Sequence, residues 1–201
     1  METIVRGERP RRSARPWLAE VRTEVDAVDQ AVFDAVADTP TPGLDRFVVG
    51  VSKAADYSRL WLAAAAGVAA VGGARGQRAA GVGISALGLA SAVTNLGLKP
   101  LADRRRPVRS DGDRASDSRR VRRPVSASFP SGHTAAAFAF ASAMGETATP
   151  TWLPLHLAAS LVGYSRVHTG VHYPSDVAAG ALVGALCGWT VRRLGRRLPP
   201  P

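Results

Sequence analysis

Residues 79–98 read AAGVGISALGLASAVTNLGL, and residues 99–107 follow at once with KPLADRRRP. Twenty uncharged residues in a row are enough for a helix to cross the hydrocarbon core of a bilayer. Gly81, Gly83, Gly88 and Ala92 are small residues of the kind that let helices approach closely where lipid supplies no hydrophobic drive. The lysine and three arginines that follow sit where such a helix would meet the headgroups.

Four further apolar segments flank this one, at 57–74, 133–148, 151–167 and 177–191. Each is short enough to be the core helix of a soluble all-α bundle. Their number, their Ala and Gly content and the arginines at their ends favour the membrane. The expected fold is therefore all-α, a membrane helical bundle with about five spanning helices.

The chain carries 26 Lys+Arg against 16 Asp+Glu, a formal charge of +10, and its mean hydropathy is −0.01. That average blends uncharged runs with arginine clusters at 6–15, 104–123 and 192–197. A strong positive charge attracts polyanions. Because the clusters sit at the ends of apolar segments, a lipid surface is the expected partner rather than nucleic acid. The lone cysteine, Cys187, lies in an apolar run and reads as a packing residue.

Residues 1–16 read as a basic, disordered tail, and no apolar signal region follows them, so internal helices are expected to drive insertion. Residues 17–38 place Leu18, Val21, Val25, Val28 and Val32 at helical spacing, with acids on the other face. Thr39–Gly43 breaks that helix, and 44–56 reads as a second, short one. The expected organisation is a tail at 1–16, amphipathic membrane-associated helices at 17–56, a main domain at 57–191 and a basic tail at 192–201.

If each apolar segment crosses once, three polar stretches emerge on one side. These are Lys99–Pro107, Pro130–His133 (PSGH) and Ser165–Asp176 (SRVHTGVHYPSD). The Arg75–Arg78 turn, the 147–150 turn and the C-terminal tail emerge on the other.

The residue types on the shared side suit a phosphate. Lys99, Arg106 and Arg166 supply cations, and arginine forks bind oxyanions bidentately. Ser131 and Gly132 precede a run of helix formers, so free backbone N–H groups and the helix dipole make an anion site there. His133 falls in the first turn, beside that anion, where it can protonate a leaving oxygen. His172 has Asp176 four residues on, with a helix expected to begin near Ser175. The carboxylate can then hold one ring nitrogen and leave the other to attack phosphorus.

Singly, each feature has a bland reading: a cap, a structural His–Asp pair, a topology signal. Together, on one side of a bundle, they read as one site. His156 and His168 are expected to pack without reacting, and Arg104, Arg105, Arg109 and the 119–123 arginines to be solvated or to face headgroups. There is no HExxH and no Cys/His cluster, and the Asp111/Asp113 pair lies in an arginine-rich loop, so neither metal nor cofactor is expected.

In these residues the chain resembles the type 2 phosphatidic acid phosphatase (PAP2) superfamily, which includes vanadium haloperoxidases and bacterial acid phosphatases. The family pattern is K-x6-R-P, P-S-G-H and S-R-x5-H-x3-D. Here it reads Lys99 to Arg106-Pro107, Pro130 to His133, and Ser165-Arg166, His172 and Asp176. The likeness spans roughly 55–191. It implies metal-independent phosphate release from a membrane lipid. His172 would be the nucleophile, Asp176 its partner and His133 the acid, with Lys99, Arg106, Ser131, Gly132 and Arg166 binding phosphate. Candidate substrates are phosphatidic acid, a polyprenyl phosphate or diphosphate, and a prenyl-sugar phosphate. The alternatives are a vanadium-dependent haloperoxidase on the same constellation and a non-enzymatic lipid-binding protein. The family also implies a site facing out of a bacterial plasma membrane. The positive-inside count points the other way, with about ten basic residues on the catalytic side against about six.

Overall fold

All the regular structure is helical in the computed structural model, which describes residues 16–108, 118–144 and 151–195. The helices are α1 (Pro16–Asp38), α2 (Pro42–Ala54), α3 (Arg59–Val71), α4 (Gly73–Ala102), α5 (Gly132–Met144), α6 (Trp152–His168) and α7 (Pro174–Gly195). The five apolar segments of the sequence are α3 to α7, one helix each. The 1–15 tail, the Asp111/Asp113 pair, Arg109, the 147–150 turn and the end of the C-terminal tail lie outside the described residues.

Two helices, α4 and α7, are long and apolar enough to cross a membrane unaided. At 1.5 Å per residue α4 reaches about 45 Å and α7 about 33 Å. The 13 residues of α3 and of α5 reach about 20 Å, short of a full hydrocarbon core. For α5 the reason is its position. It packs against α4, α6 and α7, and Ala135, Ala137, Ala139, Phe140 and Ala141 are fully buried. A helix that is apolar all round is a core helix.

Helix α4 begins earlier than the charge pattern suggests. The break falls at Gly72–Gly73, and Arg75 and Arg78 lie within the first turns of α4 rather than in a turn of their own. Gly73 has φ +55°, a left-handed conformation that glycine adopts without strain. Arg78 donates to the Gly195 carbonyl at 3.1 Å, which satisfies an end of α7.

The closest helix contacts fall on other glycines than expected, Gly76 of α4 against the Val68 carbonyl of α3 among them. A Cβ at Gly81 or Gly88 would meet nothing within 4 Å, and at Gly83 the nearest atoms are side-chain atoms of Met144 and Phe140 at 2.8 and 2.9 Å. The tight stripe is on α7. A Cβ at Gly180, Gly184 or Gly188 would stand 2.5, 2.2 or 2.4 Å from the carbonyl oxygens of Ser131, Ala135 and Ala139. Helices α5 and α7 therefore pack backbone to backbone, which pins the PSGH end of α5 to the start of α7.

Large apolar side chains face outward on the other helices, among them Ile84, Leu157, Leu186 and Trp189. On α1 the apolar stripe Leu18, Val21, Val25, Val28 and Val32 is exposed, whereas Asp29, Phe33 and Ala37 are buried against the bundle. Such inverted burial suits a helix whose outer face meets lipid. Helix α1 packs on α6 and α7, and α2 on α6.

Arg119 corrects the reading of the arginine loop. It is fully buried rather than solvated, donating to Asp45 at 2.8 Å and to the Val36 and Thr39 carbonyls. His168, also buried, meets the same Asp45 oxygen at 2.9 Å. The Thr41 hydroxyl donates to that oxygen too, and the Ser118 hydroxyl to the other. Burial alone would raise the Asp45 pKa, but these bonds lower it to about 2. This knot fastens α2 and the loop to the end of α6.

Candidate active site

The three polar stretches meet at one end of the bundle, around a cavity of about 280 Å³. Its lining includes Lys99, Arg106, Gly132, His133 and His172. Each arrives from a helix end, so the shared side expected from segment order corresponds to a shared cavity.

Lys99 comes from α4, whose residues Val93–Leu98 wind as a π-turn. Such a turn re-aims the side chains beyond it. It brings Asn95 and Lys99 to the PSGH segment: a Cβ on Gly132 would stand 3.6 Å from both Asn95 Oδ1 and Lys99 Nζ. Glycine at this position keeps the helix start open to a ligand. Ser131 is fully buried and is not part of the cavity lining. Its hydroxyl oxygen caps α5, accepting from the Thr134 hydroxyl at 2.9 Å and the Thr134 N–H at 3.4 Å. Its own N–H donates to the Asp176 carbonyl at 2.9 Å. Ser131 thus stitches α5 to α7, while Gly132 and His133 face the cavity.

Helix α7 starts at Pro174, one residue before the expected Ser175, with Pro in the first turn where its missing N–H costs nothing. Asp176 Oδ2 reaches back to the Tyr173 N–H at 3.0 Å, the carboxylate half of a capping box. The same oxygen lies 3.4 Å from His172 Nδ1. The other ring nitrogen, Nε2, is 3.2 Å from Arg106 Nη1. A guanidinium only donates, so Nε2 is the acceptor and Nδ1 carries the proton toward Asp176. Burial, together with the charges of Arg106 and Arg166, lowers the His172 pKa to about 4 against the pull of Asp176. The imidazole is neutral at physiological pH, with its lone pair on the cavity side.

Arg106 is held by backbone carbonyls as well. It donates to Val171, Ser126 and Ala127 at 2.8, 3.0 and 3.2 Å. Burial pushes its pKa down, Asp176 opposes that and Arg123 adds to it. Arg166 is buried on α6 and donates through Nη1 to Ser52 at 2.6 Å. Its Nε–H is buried without an acceptor among the described residues. A donor in that state is unusual enough to need an explanation, and an oxyanion supplies one.

Three participants had no signature in the sequence. Asp56, at the lip before α3, meets His133 Nε2 at 3.0 Å. Arg104, read as solvated, has Nη1 at 2.9 Å from Asp176 Oδ1. Its Nη2 bonds Asp26 and Asp29, each at 2.7 Å, and its guanidinium covers the Tyr173 ring at 4.6 Å. Burial opposes the charge on Arg104, but the bonds to Asp29 and Asp176 raise its pKa overall. Asp29 is itself buried and accepts from the Ser175 N–H at 2.8 Å and the Ser175 hydroxyl. A line of alternating charge thus runs from α1 to the imidazole: Asp29, Arg104, Asp176, His172.

Such a set can hold a tetrahedral anion, attack it and protonate its leaving group. Comparison with known proteins gives the class of enzyme. The PAP2 superfamily model matches residues 80–199. A decaprenylphosphoryl-5-phosphoribose phosphatase of Mycobacterium tuberculosis is 35% identical over 169 residues, covering 84% of this chain and 89% of that protein. Among solved structures, Aquifex aeolicus LpxE superposes with a TM-score of 0.66 at 26% identity, over 82% of this chain and 94% of its own. A PAP2-type phosphatidylglycerolphosphate phosphatase from Bacillus subtilis shares the fold, with a TM-score of 0.70 at 23% identity over 90% of this chain and 91% of that one. The chain belongs to the PAP2 superfamily. It is an enzyme, a phosphatase of the PAP2 type.

Proposed function

We propose that this chain hydrolyses a phosphomonoester or diphosphate on a membrane lipid, without a metal, through a phosphohistidine on His172. The observation that carries the reading is the pair of ring-nitrogen contacts on His172. Nδ1 faces Asp176, and Nε2 is an acceptor turned to the cavity that Lys99, Gly132 and His133 also line.

Phosphate oxygens are held by Lys99, Arg106, the Arg166 Nε–H and the N-terminal N–H groups of α5. Nε2 forms a bond to phosphorus while the bond to the leaving oxygen breaks. Asp176 stabilises the positive charge that develops on the imidazole. His133, oriented by Asp56, gives its proton to the leaving oxygen. Water then attacks phosphorus, His133 takes the water proton, the P–N bond breaks and inorganic phosphate leaves. Ser131 acts indirectly in this scheme, by capping the helix that presents Gly132 and His133.

The lipid substrate is supported by the outward-facing apolar side chains of α3, α4, α6 and α7 and by the exposed stripe of α1. With about five crossings, the α3 to α7 bundle sits in a bacterial plasma membrane and the cavity opens on the outer face. The relative that acts on a decaprenyl-linked phosphate favours a polyprenyl carrier as the tail. The test is phosphate release by the purified protein from phosphatidic acid, undecaprenyl diphosphate and a prenyl-sugar phosphate, with and without EDTA. At least one lipid is turned over at the same rate in chelator. Activity that disappears with chelator and returns with a divalent cation contradicts the scheme.

A further inference from the structure

A second cavity, of about 400 Å³, adjoins the first. Tyr57, Pro124 and His133 line both, but the two differ in their remaining walls. Lys99, Arg106, Gly132 and His172 line only the first, whereas Asp56, Arg122, Arg123 and Arg166 line only the second. The second lobe therefore begins where the general acid of the proposed reaction stands, and the nucleophile does not line it.

Geometry assigns the lobe a part in the reaction. In a displacement at phosphorus the attacking and leaving atoms lie roughly in line. With His172 attacking, the leaving oxygen points away from it, and His133 must touch that oxygen to protonate it. Whatever the oxygen belongs to runs past His133 into the second lobe.

The charge there is lopsided. Beside Arg166, whose Nε–H is assigned above to the scissile phosphate, stand two further guanidiniums, and the one carboxylate of the lobe is engaged by His133 at 3.0 Å and lies 3.9 Å from Arg166. The polar partner of Arg122 is neutral, the Tyr57 hydroxyl at 3.0 Å. No carboxylate among the described residues pairs with Arg122 or Arg123. Tyr57 and Ser58 have φ +54° and +58°, left-handed values that are costly for residues with a Cβ. They form the turn that carries Tyr57 into the wall shared by the two lobes.

We infer that the second lobe is a leaving-group subsite for an anion, so that the preferred substrate carries a second phosphate on the side released from the scissile one. This rests on the lipid-phosphatase reading above and narrows its substrate class. A neutral glyceride leaving group gains nothing from two guanidiniums that have no carboxylate partner among the described residues, whereas a phosphate can take bidentate bonds from each. The second phosphate is either the inner phosphate of a lipid diphosphate or a phosphodiester within the headgroup.

Two matched substrate pairs separate these sources. Farnesyl diphosphate is compared with farnesyl phosphate, and phosphatidylglycerol phosphate with phosphatidic acid, in detergent micelles. The readout is the ratio of kcat/KM for the two-phosphate substrate over its one-phosphate partner. The ratio is expected to fall about tenfold in Arg122→Gln or Arg123→Gln, and further in the double variant, in at least one pair. The pair that responds identifies the source. Both arginines are exposed, and a thermal midpoint equal to wild type confirms that the variants are folded. A double variant whose ratios stay within twofold of wild type in both pairs overturns the subsite and leaves the phosphatase reading intact. A wild-type enzyme that hydrolyses none of the four, and neither undecaprenyl diphosphate nor a prenyl-sugar phosphate, overturns both.

Discussion

Neutralising Asp29 should slow the chemical step of a reaction whose cavity it does not line. This aspartate is on α1, well before the 80–199 stretch that matches the family, and is 2% exposed. Asp29→Asn keeps the shape and removes the charge that faces Arg104 at 2.7 Å. Removing one partner of a buried ion pair costs about 3–5 kcal/mol. Arg104 is partly exposed and keeps Asp26 at 2.7 Å, so about 2–3 kcal/mol is expected here. Part of that appears as lost stability. The rest appears as a guanidinium drawn harder onto Asp176, whose hold on the His172 Nδ1 proton then weakens. A kcat loss of about 10–100-fold corresponds to about 1.4–2.8 kcal/mol in the transition state. KM should stay within about threefold, because no phosphate-binding group is touched. Arg104→Lys, which keeps a charge but not the fork, should fall between wild type and Arg104→Gln. The assay is initial-rate phosphate release over a range of lipid mole fraction, with the thermal midpoint measured on the same sample. A folded Asp29→Asn enzyme with wild-type kcat refutes the reasoning. So does a variant whose loss lies wholly in KM.

The depressed His172 pKa predicts the acid limb of the rate profile. Protonation blocks Nε2, so kcat/KM for a substrate of constant charge should hold as pH falls through 6.5 and drop near 4. A drop centred at 6.5 contradicts the buried imidazole. Because its folded pKa lies below the unfolded value of about 6.5, protons favour the unfolded chain between the two, and stability contributed by His172 should decline as pH falls from 6.5 toward 4. Gly184→Ala sets a methyl 2.2 Å from the Ala135 carbonyl, a backbone atom that cannot swing away. A loss of about 1–3 kcal/mol in stability is expected, with a parallel fall in activity as α5 shifts from α7. Gly81→Ala, which meets nothing within 4 Å, is the control, and equal thermal midpoints for the two variants refute the packing account.

The reacting residues were legible in the sequence because their signal is local. His172 and Asp176 are four residues apart, Gly132 and His133 share a helix start, and each motif borders an apolar run. The parts that support them were not. Asp29 reads as one more acid on the polar face of an amphipathic helix, and Arg104 and Arg119 as members of an arginine run. What sets them apart is burial against elements more than 70 residues away, and neither periodicity nor charge count carries that. Asp56 has the same difficulty, a single acid before an apolar run that meets His133 only across the fold. The glycine stripe of α7 was readable, since Gly180, Gly184 and Gly188 recur every four residues. The glycines of α4 drew the expectation instead, because spacing alone does not say which face meets a neighbour. Helix lengths were hidden in the same way: only α4 and α7 are long and apolar enough to cross unaided, and α5 spends its apolar surface on its neighbours inside the bundle.

The central claim is that phosphate passes through His172. Rapid acid-free quench of the enzyme turning over a lipid labelled in its scissile phosphate, followed by peptide mass spectrometry, tests it directly. The account predicts an acid-labile phosphoryl group on His172, absent from His172→Ala and accumulating in His133→Ala, where its hydrolysis is slowed. Phosphate release by His172→Ala at the wild-type rate, or a phosphoryl group trapped on any other residue, would contradict it.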